Sequence, residues 1–153
     1  MKLEDDQMCF VCGPKNPIGL HLEFHDEGDR YCTSFTPDAS HSGYAGMTHG
    51  GVLTAVLDEV MGRLLWVRNL RAATAQMEVR WCRPAHIGET LHFAGWIEEV
   101  RGRLVRCAAI AQNDAGQVVA RAKAKFMRVS GSPEPCDAAS SIPEGLPALR
   151  NRP

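Results

Sequence analysis

Two carboxylates, Asp58 and Glu59, stand side by side inside an otherwise apolar stretch that runs without proline from Thr48 to about Arg68. Its Leu, Val, Ala and Met residues recur at i, i+3 and i+4 spacings, which predicts one long helix. Apolar residues occupy almost the whole circumference, so this helix is expected to be covered on most sides. Helical geometry separates the two acids. Glu59 has Arg63 four residues on, the favourable order for a solvated surface pair. Asp58 has Thr54, Ala55, Met61 and Gly62 at the neighbouring positions, and none of them is charged. A buried carboxylate without a partner is costly. Asp58 is therefore either functional or satisfied by another part of the fold.

His49-Gly50-Gly51 opens the same stretch. A helix N-terminus offers unsatisfied N–H groups and a partial positive charge. Gly50 and Gly51 have no side chains to cover those donors, so a carbonyl oxygen can come close to the backbone. The competing reading is a tight turn into a packed helix, which glycine serves equally well. A base or nucleophile plus an N–H donor is what an acyl-transfer site needs.

The rest of the chain must position these groups. At 153 residues it is long enough for one domain with a real core. The net charge of -1 argues against a nucleic-acid footprint. No apolar run reaches membrane-spanning length, and the acidic start Met1-Lys2-Leu3-Glu4-Asp5-Asp6 does not read as an export signal. Six cysteines without a framework pattern then suggest reduced thiols and a cytoplasmic location.

Residues 1–18 read as an N-terminal arm carrying Cys9-Phe10-Val11-Cys12. Zinc needs four ligands and no second Cys-x-x-Cys exists; His21, His25 and Cys32 are the nearest candidates to complete a site. Gly13-Pro14 argues against the helix a redox motif would need. A structural turn with no metal is the expectation. Residues 20–24 alternate and predict a strand, followed by a turn at 26–29 and a second strand over 30–35. After the helix, strands are expected over 72–81, 90–100, 104–110 and 118–129, the last with a less strict alternation. Trp66, Trp81 and Trp96 read as core or interface residues. From Ser130 the composition turns Pro- and Ser-rich, so 130–153 reads as a tail and 19–129 as the domain. Strands before and after a single long helix make the chain α+β, an antiparallel sheet wrapped on that helix. There is no Gly-x-Ser-x-Gly elbow, no His-Glu-x-x-His and no phosphate-binding glycine loop.

The His49-Gly50-Gly51 turn, Asp58 nine positions after His49, and Arg83-Pro84-Ala85-x-x-Gly88-Glu89 together resemble hotdog-fold acyl-CoA thioesterases. Within them the phenylacetate-pathway and 4-hydroxybenzoyl-CoA thioesterase type is the most similar, and Cys-x-x-Cys-Gly-x-x-Asn-Pro-x-Gly-Leu resembles the opening of a subset. The likeness covers about Cys9 to Val129. It implies a hotdog fold, a curved antiparallel sheet around the helix, and a homodimer with a continuous sheet, or a tetramer. It implies Asp58 as general base or nucleophile on the thioester and the Gly50 N–H as donor to its carbonyl, beside His49. Thr74 matches the hydroxyl residue that helps orient water. Gly51, Tyr44, Met47 and Met61 would line the substrate, with Leu65 also helping to set pocket depth. The loop from Ser42 to Met47 lacks the Asn or Gln of some relatives, and His41 or the loop backbone would substitute. The implied substrate is an acyl-CoA, with no cofactor. The competing readings are a non-catalytic acyl-CoA-binding module, a hydratase or dehydratase, and a zinc-dependent interaction protein built on Cys9 and Cys12.

Overall fold

The computed structural model describes residues 3–129; the expected tail over 130–153 lies outside them. An arm without regular structure leads to β1 (His25–Asp26) and β2 (Tyr31–Phe35). A 3-10 turn (Ala39–His41) and a small ribbon, β3 (Ser42–Tyr44) with β4 (Met47–Thr48), come next. Then follow α1 (Gly50–Val67), β5 (Ala72–Trp81), β6 (Leu91–Arg101), β7 (Leu104–Asn113) and β8 (Val118–Arg128).

Six strands form one antiparallel sheet in the order β1-β2-β6-β7-β8-β5. One face of α1 lies on it. Leu53, Val56, Leu57, Val60, Met61, Leu64 and Leu65 are buried, a stripe at helical spacing. They meet Phe93, Val105, Phe126 and other inward residues of the strands. In β8 Ala122, Ala124 and Phe126 point inward while Arg121, Lys123 and Lys125 point outward. The less strict alternation expected there is confined to the start of the strand, where Val119 and Ala120 are both buried.

Two expectations are corrected. Residues 20–24 do not form a strand. Leu20, Leu22 and Phe24 do turn toward the core, as their alternation implies. Their backbone, however, folds against the arm, with the Leu20 and Leu22 N–H groups donating to the carbonyls of Phe10 and Val11 at 2.8 and 2.9 Å. His21 adopts a φ of 53°, which breaks the extended run. The surface pair between Glu59 and Arg63 is also absent. Arg63 reaches Asp5 of the arm at 3.5 Å, and Glu59 accepts the thiol proton of Cys12 at 3.0 Å. The arm lies along this side of the helix and captures both side chains.

Candidate active site

The helix start is fixed from three sides. The Thr48 N–H donates to the Ala85 carbonyl and the His49 N–H to the His41 carbonyl, both at 2.8 Å. His49 is the N-cap, and its Nδ1 accepts the Gly51 N–H at 2.9 Å. That leaves the neighbouring Gly50 N–H with no acceptor among the described residues. A Cβ at Gly50 would sit 3.0 Å from the indole nitrogen of Trp81, so glycine lets that exposed ring lie close against the helix start.

A cleft of about 440 Å³ opens at this point, lined by Tyr44, Met47, Thr48, His49, Gly50, Leu53, Trp81 and Arg83 among others. Thr48 Oγ1 is buried in its wall without a hydrogen-bond partner. Buried polar groups without partners are uncommon; the Gly50 N–H is the donor that stands at the cleft for a polar ligand. Trp81, read from the sequence as core or interface, is 55% exposed and forms part of the cleft. Arg83 stands on its rim with one guanidinium nitrogen on the Val118 carbonyl at 2.8 Å. Leu53, Thr48 and Trp81 escaped the sequence reading as cleft residues, whereas Arg83 entered it as the start of the Arg83-Pro84-Ala85-x-x-Gly88-Glu89 motif.

Asp58 lies elsewhere. It is eight residues beyond Gly50 on the same helix, roughly 12 Å at a rise of about 1.5 Å per residue, and it does not line the cleft. Its Oδ1 accepts the Thr74 hydroxyl at 2.9 Å. Burial pushes the carboxyl above its ordinary value of 3.8, the Thr74 bond opposes that rise, and the adjacent Glu59 charge adds to it.

Thr74 reaches Asp58 because of a β-bulge. In β5, Thr74 pairs with Phe126 and Gln76 with Lys125, which leaves Ala75 as the extra residue. Paired residues share a face of the sheet. Phe126 and Ala124 face the helix, so their partners Thr74 and Met77 do so as well. A strictly alternating strand would put residues three apart on opposite faces. The bulge thus turns the hydroxyl to the carboxylate while Met77 and Val79 keep packing against the core.

The remaining expectations divide. His49, Gly50, Tyr44 and Met47 meet at the cleft. Gly51 is exposed and its N–H is taken by the cap. Met61 and Leu65, expected to set pocket depth, are fully buried core residues outside the lining. The His41 ring is held through Nδ1 by the Asp38 N–H and packs edge-on with Phe35, and it does not line the cleft.

Residues 45–130 match the family model of the thioesterase superfamily. The chain belongs to the thioesterase superfamily. Its single helix on a curved six-stranded antiparallel sheet is the hotdog thioesterase fold. A hypothetical thioesterase from Streptococcus pneumoniae TIGR4, solved with coenzyme A, superposes with a TM-score of 0.67 at 18% identity, covering 71% of this chain and 85% of that one. PaaI of E. coli, from the phenylacetic acid degradation operon, gives 0.68 at 18% identity, covering 71% and 84%. Another thioesterase superfamily protein gives 0.73 at 27% identity, covering 76% of this chain and 61% of that one. No curated protein matches the sequence. Among the described residues no helix is long and apolar enough to cross a membrane.

Proposed function

We propose that the protein is a thioesterase that hydrolyses an acyl-CoA to the free acid and CoA. The observation that carries this reading is the Gly50 N–H, left without an acceptor at a helix N-terminus inside a cleft. Such a donor, backed by the helix dipole, stabilises the oxyanion that forms when a thioester carbonyl is attacked. Asp58 supplies the base that activates water or the nucleophile itself. Its half-buried position and raised affinity for protons suit a group that must take one up. Superfamily membership and relatives solved with coenzyme A or acetyl CoA favour this substrate class.

The distance along α1 between Gly50 and Asp58 implies that one subunit does not supply both to one carbonyl. A two-fold partner with an antiparallel helix would, so we assign the site to a homodimer. β5 is an edge strand with one unpaired side, which offers a surface for joining two sheets.

The reading is tested by thiol release from short, medium, long and aromatic acyl-CoAs. A steady rate on one class supports it. Saturable CoA binding without release would favour the non-catalytic binding module instead.

Two variants extend the test. Arg83 is the basic side chain on the cleft rim, placed to meet a CoA phosphate. Arg83→Gln should raise KM about 10-fold or more, the scale of a hydrogen bond to a charged group, with kcat nearly unchanged and the difference shrinking in high salt. Thr74→Val removes the hydroxyl that holds down the Asp58 proton affinity. The carboxylate form should then persist only at higher pH. The acid limb of the kcat/KM profile should move upward in pH, and a profile that stays in place would disconnect Thr74 from the base.

A further inference from the structure

We infer that Cys9, Cys12 and Glu59 form a binding site for a zinc-class divalent ion that ties the N-terminal arm to the central helix. The two thiols come from the arm, and the carboxylate comes from the residue next to Asp58 in α1. Their ligand atoms all lie within 4.8 Å of one another. In a tetrahedral zinc site, bonds of about 2.0–2.3 Å put neighbouring ligand atoms roughly 3.5–3.8 Å apart, which this cluster can meet with sub-ångström movement.

The turn around Cys9 is built tightly. The Gly13 N–H donates to the Cys9 carbonyl at 2.9 Å, and a Cβ at Gly13 would lie 2.4 Å from the Cys9 nitrogen. The Val11 N–H donates to the Cys9 sulfur at 3.3 Å, which fixes where that sulfur points. His21 braces the outer side of the turn through Nδ1 and the Gly13 carbonyl, at 3.0 Å. Its ring is not among the ligand atoms that gather within 4.8 Å of one another. His25 and Cys32 gather with Glu27 in a separate group.

The Cys12 thiol donates to Glu59 in a hydrogen bond of 3.0 Å. Three groups able to carry negative charge converge with only that proton between two of them. A divalent ion replaces the proton: two sulfur–metal bonds and one oxygen–metal bond form, and the two thiol protons leave to solvent. Two thiolates select zinc-class ions over magnesium or calcium. All three residues are half-buried, so the fourth position is open to water. The ion's work would be structural. It would fix the arm on the helix one residue from Asp58, whichever reaction the cleft supports.

The full-length protein, stripped of metal and reduced with a phosphine, is titrated with Co²⁺. The expected result is one equivalent bound with tetrahedral visible bands and sulfur-to-cobalt charge-transfer absorption. Zinc should then displace the cobalt and raise the Tm. Cys9→Ser/Cys12→Ser should lose the charge-transfer bands, and Glu59→Gln should keep them while binding at least 10-fold more weakly. The wild-type titration decides even if a variant fails to fold. No saturable spectrum, an octahedral spectrum without charge transfer, or bands that persist in a folded double-serine variant would overturn the assignment.

Discussion

Asp58→Asn is expected to lower turnover by about 10²- to 10⁴-fold, the usual scale for losing a positioned base, and at the same time to raise Tm at neutral pH. The two effects have one origin. Burial holds the Asp58 carboxyl above 3.8, so the folded chain binds that proton more tightly than the unfolded chain does. The stabilisation from a neutral Asp58 is complete below about 3.8 and is lost as pH rises through the raised folded value. At neutral pH the carboxylate therefore strains the fold. Asn is neutral throughout, and its carbonyl oxygen still accepts the Thr74 hydroxyl. The variant's thermal advantage should appear at neutral pH and fade in acid, where the wild-type group is itself neutral. Melting curves at both pH values, beside thiol-release rates, check this. A variant that is inactive but also less stable at neutral pH would mark Asp58 as a structural partner of Thr74.

Mixing two inactive variants should restore activity. Asp58→Asn lacks the base, and Gly50→Pro lacks the N–H donor. Gly50 is the first helical residue, a position that tolerates proline. The ring must push Trp81 aside, but that side chain is exposed. Gly50→Ala makes the same intrusion and keeps the N–H, so it separates steric damage from loss of the donor. If each site takes Asp58 from one subunit and Gly50 from the other, a mixed dimer has one doubly damaged site and one intact site. Random exchange of equal amounts makes about half of the dimers mixed, so about a quarter of all sites recover under two-fold symmetry. If both groups serve from the same chain, every site keeps one lesion. No recovery after proven exchange would refute the shared site.

The strongest sequence signals were those set by local periodicity. The helix over Gly50–Val67 and the strand Ala72–Trp81 could be read because apolar spacing and turn residues bound them. Asp58 stood out because nothing on its own helix could pair with it, and the structure supplies Thr74 from the next strand. What escaped depends on contacts between distant segments. Glu59 read as a surface acid because Arg63 lies four residues on, yet an arm 47 residues earlier captures it. The alternation over 20–24 reported burial correctly but could not reveal that the backbone pairs with Phe10 and Val11 instead of a sheet. Met61 and Leu65 share the helix with Asp58, but only packing against the sheet shows that they face the core. The bulge at Ala75 leaves no trace in composition, since alanine fits either face.

That bulge also bears on the fate of a newly made subunit. In a single subunit β5 presents a ten-residue edge of free backbone groups, a template for any extended strand in a crowded cell. Ala75 interrupts the template between Thr74 and Gln76 and bends it. A foreign strand can stay in register only along the run after the bulge, and cannot propagate flat along the whole edge. The same inserted residue that aims Thr74 at Asp58 thus works against runaway strand addition along this edge and leaves only a shorter straight segment beyond it.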